Sequence, residues 1–185
     1  MDSEKIRQAV RLLIEAIGED AGREGLLETP DRIVRMMPEI LGGAEEDVSI
    51  HFEKTFAAPK NEPVYVKDMT FYSVCEHHFL PFFGHAHVGY IPDGRVLGLS
   101  KIERIVGAYA RRPQLQERLT AEIAGAFVRY LKPAGVIVAL EARHLCMEMR
   151  GVRQTGARTF TVCARGVFET DGVLADRFLR QIGRA

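Results

Sequence analysis

Two short segments limit what this chain can fold into more than any other feature. One is Cys75-Glu76-His77-His78 and the other is His144-Leu145-Cys146. Thiolate and imidazole together suit zinc better than calcium or magnesium, and the C-x2-H spacing of Cys75 and His78 is a chelate spacing that recurs in zinc sites. Two ligands do not hold the ion, so the fold must bring the distant second segment back to the first. If that segment is a strand, His144 and Cys146 point to the same side and both can reach one site. A closed structural site would use all four side chains, whereas a catalytic site would use three and leave one position for water. The spacing leaves both open. The spare imidazole of His77 favours catalysis, because acid–base work needs an unligated histidine near the metal.

Other soft side chains read more plainly. Cys163 lies in the alternating stretch TFTVCA and reads as a small buried hydrophobe, and His51 reads as a satisfied polar group. His85 and His87 share a strand face and fit either further ligands or an ordinary polar face. Three cysteines are an odd count, which argues against a disulfide scaffold and for metal binding or catalysis in a reducing compartment.

The 185 residues suffice for one domain with its own core. Formal net charge is zero, which argues against a non-specific nucleic-acid or membrane binder. The N-terminus carries charges where a signal peptide needs an apolar run, and no stretch approaches a membrane span. The expected location is the cytoplasm.

Periodicity places Ile6, Val10, Leu13, Ile14 and Ile17 on one helix ending at Gly18. A second helix starts with Thr29 as cap and Pro30 in its first turn, and Pro38 predicts a kink or an early stop. The middle reads as strands: PVYVKDMTFYSV, then GHAHVGYIP, then a turn at Asp93-Gly94 into RVLGLS. Ser100 and Glu103 form a capping-box pattern at the head of a helix. A longer helix follows with Leu115, Leu119, Ile123, Phe127 and Leu131 on one stripe. GVIVALEARHLCM and ARTFTVCARGVFE read as an antiparallel strand pair, and LADRFLRQI as a terminal helix. The order gives a single α+β domain over 1–185, with an N-terminal helical segment at 1–45 and a catalytic core at 60–185. Its sheet has exposed edges that another subunit would protect.

At this point the sequence resembles GTP cyclohydrolase I. CEHHFLPFFGHAHVGYIPDGRVLGLSKIERIV, RRPQLQERLT and HLCMEMRGVRQTGART are close to that family's signature blocks and in its order, and GREGLLETPDRI is similar to its N-terminal segment. The resemblance implies the tunnelling fold, an antiparallel sheet with two helices packed on one face, whose sheets join between subunits into a barrel. It implies a homodecamer of two stacked pentamers with active sites between subunits. The implied reaction converts GTP and water to 7,8-dihydroneopterin triphosphate and formate, the first step of folate and pterin biosynthesis. Carried over by motif, Cys75, His78 and Cys146 are the Zn2+ ligands, and His77 and His144 become the acid–base groups. Glu117, with Gln116 beside it, would accept the guanine N1–H and 2-amino donors. Ser100, Lys101, Arg104 and Arg150 match phosphate-region contacts, and Arg32 one supplied by a neighbouring subunit. Without the resemblance Glu117 reads as a solvated helix charge.

Two other readings compete. A related tunnelling-fold nitrile reductase of deazaguanine metabolism would need a nucleophilic cysteine and NADPH in place of zinc. A non-catalytic zinc-stabilised assembly protein would show four protein ligands.

Overall fold

A computed structural model describes residues 1–60 and 62–183. Helix α1 (Ser3–Ala16) opens where the Asp2 carboxylate accepts the Lys5 amide at 3.0 Å, and it closes at Gly18, whose φ of 85° suits a residue without Cβ. Val10 and Ile14 are buried, but Leu13 and Ile17 of the same predicted stripe are exposed. Helix α2 (Thr29–Leu41) corrects the Thr29 cap and the early stop at Pro38. Its N-cap is Glu28, which makes no side-chain cap, and Thr29 is already helical. The helix also runs through Pro38 to Leu41. Proline lacks the N–H that would donate to the Val34 carbonyl, so the helix passes Pro38 one backbone bond short. Arg7 Nε to Asp31 Oδ1, at 2.8 Å, ties α1 to α2.

The main sheet has the order β5-β2-β3-β6-β7. Strands β2 (Val64–Cys75), β3 (Pro81–Ile91), β6 (Gly135–His144) and β7 (Thr159–Gly166) are antiparallel neighbours, and the short β5 (Pro113–Gln114) lies parallel to the end of β2. A separate ribbon pairs β1 (Thr55–Ala57) with β4 (Arg95–Leu97). The segment after Asp93-Gly94 therefore does not fold back on β3. It turns to β1, a strand too short to show a period in the sequence.

Helices α3 (Leu99–Ala110) and α4 (Gln116–Ala126) cover one face. Ile102, Ile105, Leu119, Ile123 and Phe127 pack there against Phe71, Phe82, Val88, Tyr90, Val138 and Leu140. The alternation of β3 and β6 explains this, since every second residue meets the helices. The capping-box expectation fails at α3: Gly98 is the N-cap and Ser100 lies inside the first turn, with no side-chain cap bond. Helix α4 continues as a π-turn over Phe127–Leu131, ended by Lys132 in the left-handed region. Beyond β7, α6 (Val167–Thr170) and α7 (Gly172–Gln181) cover one end of the opposite face, where Phe168 and Phe178 bury Ile137 and Ala139. The rest of that face leaves Tyr72, Phe160 and Val162 exposed. The α+β class, with an antiparallel sheet and two helices on one face, is as expected.

Candidate metal centre and active site

Strand β2 ends at Cys75, and the chain reverses within five residues to start β3 at Pro81. The reversal is tight: the Phe79 amide donates to the Cys75 carbonyl at 2.9 Å, Cys75 N donates to Leu80 O at 2.9 Å, and Phe79 adopts φ 54°. Cys75 and His78 thus belong to one turn. Register delivers the second segment. In the β3–β6 ladder Phe82 lies opposite His144, so the end of β6 meets the start of β3. Beyond His144 the chain does not stay extended. Leu145–Glu148 forms one helical turn, α5, so the strand argument that placed His144 and Cys146 on one side is corrected. Arg143 clamps this turn through two bonds to Glu148, Nε–Oε1 at 2.8 Å and Nη2–Oε2 at 2.6 Å.

The result is a group of three. Ligand atoms of Cys75, His78 and Cys146 all lie within 4.8 Å of one another, and among the described residues no other such group occurs. This group could hold a metal ion. Zinc–sulfur bonds of about 2.3 Å and zinc–nitrogen bonds of about 2.0 Å put tetrahedral ligand atoms roughly 3.5–3.8 Å apart, so a small adjustment suffices. Burial, and then the Cys75 sulfur, push the Cys146 thiol up. A cation between the two sulfurs is what holds such thiols as thiolates.

His144 stands outside the group. Its Nε2 lies 2.8 Å from Gln116 Oε1, and its ring stacks on Phe82 with centroids 4.7 Å apart and planes 3° from parallel. Burial lowers its pKa, against a raising influence from Glu117 and Glu148. Glu117 itself is exposed in the first turn of α4. Arg150 reaches the metal group, with Nη1 at 3.4 Å from His78 Nε2. His77 is exposed, and its ring sits edge-on to that of His78 at 6.2 Å.

The remaining predicted residues lie elsewhere in this chain. The C-terminal end of α3 adjoins β5 and so Cys75, but Ser100, Lys101 and Arg104 occupy its N-terminal half. Nine residues at about 1.5 Å rise place Lys101 roughly 13 Å along the axis from Ala110. Arg32 pairs with Glu28 at 2.9 Å, with both side chains exposed. His85 is exposed, and His87 is buried with Nδ1 accepting the Asp68 amide at 3.1 Å; neither joins the metal group. Cys163 packs against the core, and burial pushes its thiol up.

Sequence reasoning missed the frame around the site. Arg118 forms an ion pair with Glu76, inside the Cys75–His78 turn, and its Nε donates to Gln114 Oε1 at 3.0 Å. Gln114 is buried and also donates to the Tyr109 carbonyl and to Glu122. Glu76, inside the C-E-H-H motif, was the one visible signal.

The model of one protein family, described as GTP cyclohydrolase I, matches residues 6–183. The chain is 52% identical over 183 residues to "GTP cyclohydrolase 1" of Streptococcus pneumoniae (strain ATCC 700669 / Spain 23F-1), covering 99% of this chain and 100% of that one. It is 52% identical over 182 residues to "GTP cyclohydrolase 1" of Clostridium perfringens (strain 13 / Type A), covering 98% of each. A solved structure described as the archaeosine synthase QueF-Like in the apo form covers 59% of this chain and 96% of its own, with a TM-score of 0.45 and 22% identity.

Proposed function

This chain belongs to the GTP cyclohydrolase I family, and from that premise we propose which of its residues carry the reaction. The enzyme is a hydrolase that opens the purine ring of GTP at C8 and rearranges it to 7,8-dihydroneopterin triphosphate with release of formate. The resident metal is zinc, held by Cys75, His78 and Cys146. The donor set of two thiols and one imidazole supports that choice. Zinc bound there supplies Lewis acidity, lowering the pKa of a water toward about 7.

The chain's own groups supply the proton traffic. One water adds across the C8–N bond. His144 and His77 take and return protons as the bond opens, with the leaving ring nitrogen protonated by an imidazole. A second water cleaves the formyl group to formate, and loss of one water in the later ring closure leaves a net consumption of one. The ribose ring then opens, and an Amadori rearrangement precedes that closure, with a proton transfer at each stage. Glu117 accepts the paired N1–H and 2-amino donors of guanine, a pattern adenine lacks. Arg150, beside His78, binds the phosphate-bearing end with Ser100, Lys101 and Arg104.

Those last three and Arg32 lie apart from the metal group of their own chain, so the complete site draws them from neighbouring subunits. The active form is a homo-oligomer, a decamer of two pentamers whose sheets join edge to edge into a barrel, built on the 60–185 core with 1–45 as a helical appendage. Among the described residues β5 covers only Val74–Cys75 of β2, so the rest of β2 and the outer side of β7 are sheet edges that support that assembly. Among the described residues no helix is long and apolar enough to cross a membrane, and the proposed location is the cytoplasm, with neither nucleic acid nor lipid as a partner.

One observation carries the catalytic reading: His144 is hydrogen-bonded to Gln116 at 2.8 Å and is not the fourth member of the metal group. A closed structural site would have enlisted it. The test is incubation of the purified, zinc-loaded protein with GTP, following the pterin chromophore and formate. Equimolar appearance of both, lost in Cys146→Ala together with the metal, is the expected result; intact GTP after prolonged incubation sinks the reading.

A further inference from the structure

We propose that Gln116 is a positioning residue and not a substrate contact: its amide locks His144 in the tautomer that carries its proton on Nε2, so that Nδ1 is the atom that exchanges protons in turnover. The inference rests on the acid–base reading of His144 and names the atom that performs it.

The polarity follows from what each partner is able to do. One side-chain atom of Gln116 lies 3.1 Å from the Leu140 carbonyl and 3.0 Å from the Thr159 carbonyl. Carbonyl oxygens only accept, so that atom is the amide nitrogen. It also reaches Thr161 Oγ at 3.1 Å. The threonines agree. Thr120 Oγ lies 2.8 Å from the Gln116 backbone carbonyl, which requires it to donate there. Thr161 Oγ, 2.7 Å from Thr120 Oγ, then donates to Thr120 and accepts from Gln116. The two Nε2 protons are shared among these three acceptors, while the hydroxyl protons run from Thr161 to Thr120 and from Thr120 to the Gln116 carbonyl.

With the amide nitrogen fixed, Oε1 faces His144 Nε2, and Oε1 only accepts. His144 must donate from Nε2, and the neutral ring keeps its lone pair on Nδ1. Two constraints thus act on one imidazole: Phe82 fixes its plane, and Gln116 fixes its rotation and its proton. Gln116 is 2% exposed, with both amide protons and its carbonyl already committed, so little of it is left for a nucleotide. Residues of α4, β6 and β7 all contribute, which makes the lock part of the helix–sheet interface and not a loop feature.

The experiment reads the tautomer directly. Zinc-loaded full-length protein is labelled with 15N in its histidine rings, and the His144 signals are identified by their absence in His144→Ala. The expected wild-type spectrum has the proton on Nε2 and a bare Nδ1; a proton on Nδ1 overturns the proposal, and this measurement needs no Gln116 variant to fold. In Gln116→Met, which keeps the length and removes the acceptor, both tautomers should appear. Its kcat should fall about 10- to 100-fold, the scale for losing a partner that orients a histidine, with KM for GTP and zinc content unchanged. A raised KM with kcat intact would make Gln116 a substrate contact and refute the assignment. Full turnover in His144→Ala would overturn the acid–base reading itself, a separate failure because the tautomer is read without activity.

Discussion

Phe82→Leu separates what the core owes to a side chain from what the site owes to it. Phe82 is fully buried, stacks on His144 at 4.7 Å and meets Phe71 edge-on at 6.0 Å. Leucine keeps most of the volume, so burial and packing change by up to about 1.5 kcal/mol. The two lost ring contacts cost about 0.5–1.5 kcal/mol each. The total is roughly 1–4.5 kcal/mol, and at about 2–4 °C per kcal/mol for a chain of this length Tm should drop by about 2–18 °C. Phe127→Leu is the matched control. Phe127 is equally buried and makes two ring contacts, with Phe52 at 5.4 Å and Tyr90 at 5.6 Å, neither of them part of the site. Both variants should lose similar stability. Only Phe82→Leu should lose kcat, by about 10-fold or more, because its imidazole has lost the surface that fixes its plane. Thermal melts and steady-state kinetics at a temperature well below both transitions decide the matter. Equal kcat in the two variants would refute the idea that Phe82 serves His144.

Glu117→Gln should lose GTP binding strongly, by up to about 10⁴-fold, with zinc content unchanged, whereas Lys101→Ala should weaken GTP and ATP alike and spare guanosine; equilibrium binding of the three ligands checks both. Gly84→Ala places a Cβ 1.9 Å from the Glu141 carbonyl oxygen, so β3 and β6 must part. A loss on the order of 4 kcal/mol or more is expected, and a wild-type melting curve would contradict it. The hydrogen bond from Arg7 holds the Asp31 carboxyl below its ordinary value of 3.8. Its contribution is therefore present above that value and lost as pH falls through the lowered one. The Tm gap between wild type and Asp31→Asn should be open at pH 7 and close below about pH 3.8.

The sequence was legible where one residue type does one job. Val88, Tyr90, Val136, Val138 and Leu140 alternate because a sheet face must be covered, and Leu119, Ile123 and Phe127 recur because a helix covers it. Cys75 and His78 were legible because few other arrangements use those side chains at that spacing. Cys146 was found for the wrong reason: it reaches Cys75 through a helical turn, and nothing in HLCME distinguishes one turn from the end of a strand. Polar residues inside the fold were opaque. Gln114 drew no reading and Gln116 was placed only beside Glu117 at the substrate, because a sequence does not show which carbonyls the sheet leaves within reach. Ser100 was misread by two positions, since Gly98 ends β4's connection and starts the helix with backbone alone.

The grouping of Cys75 and His78 with Cys146 also bears on how long the protein survives as a folded molecule. Cys75 and His78 sit in one turn, but Cys146 comes from beyond both central helices. An ion joining them closes a loop of about 70 residues in the unfolded chain. By the chain-entropy relation, that crosslink removes about 4 kcal/mol of freedom from the denatured state. A metal held there would act as a clasp, keeping the two ends of the segment that carries α3 and α4 together even when those helices leave the sheet. A chelator should shorten the folded lifetime, and the chain should become open to proteolysis between residues 79 and 143.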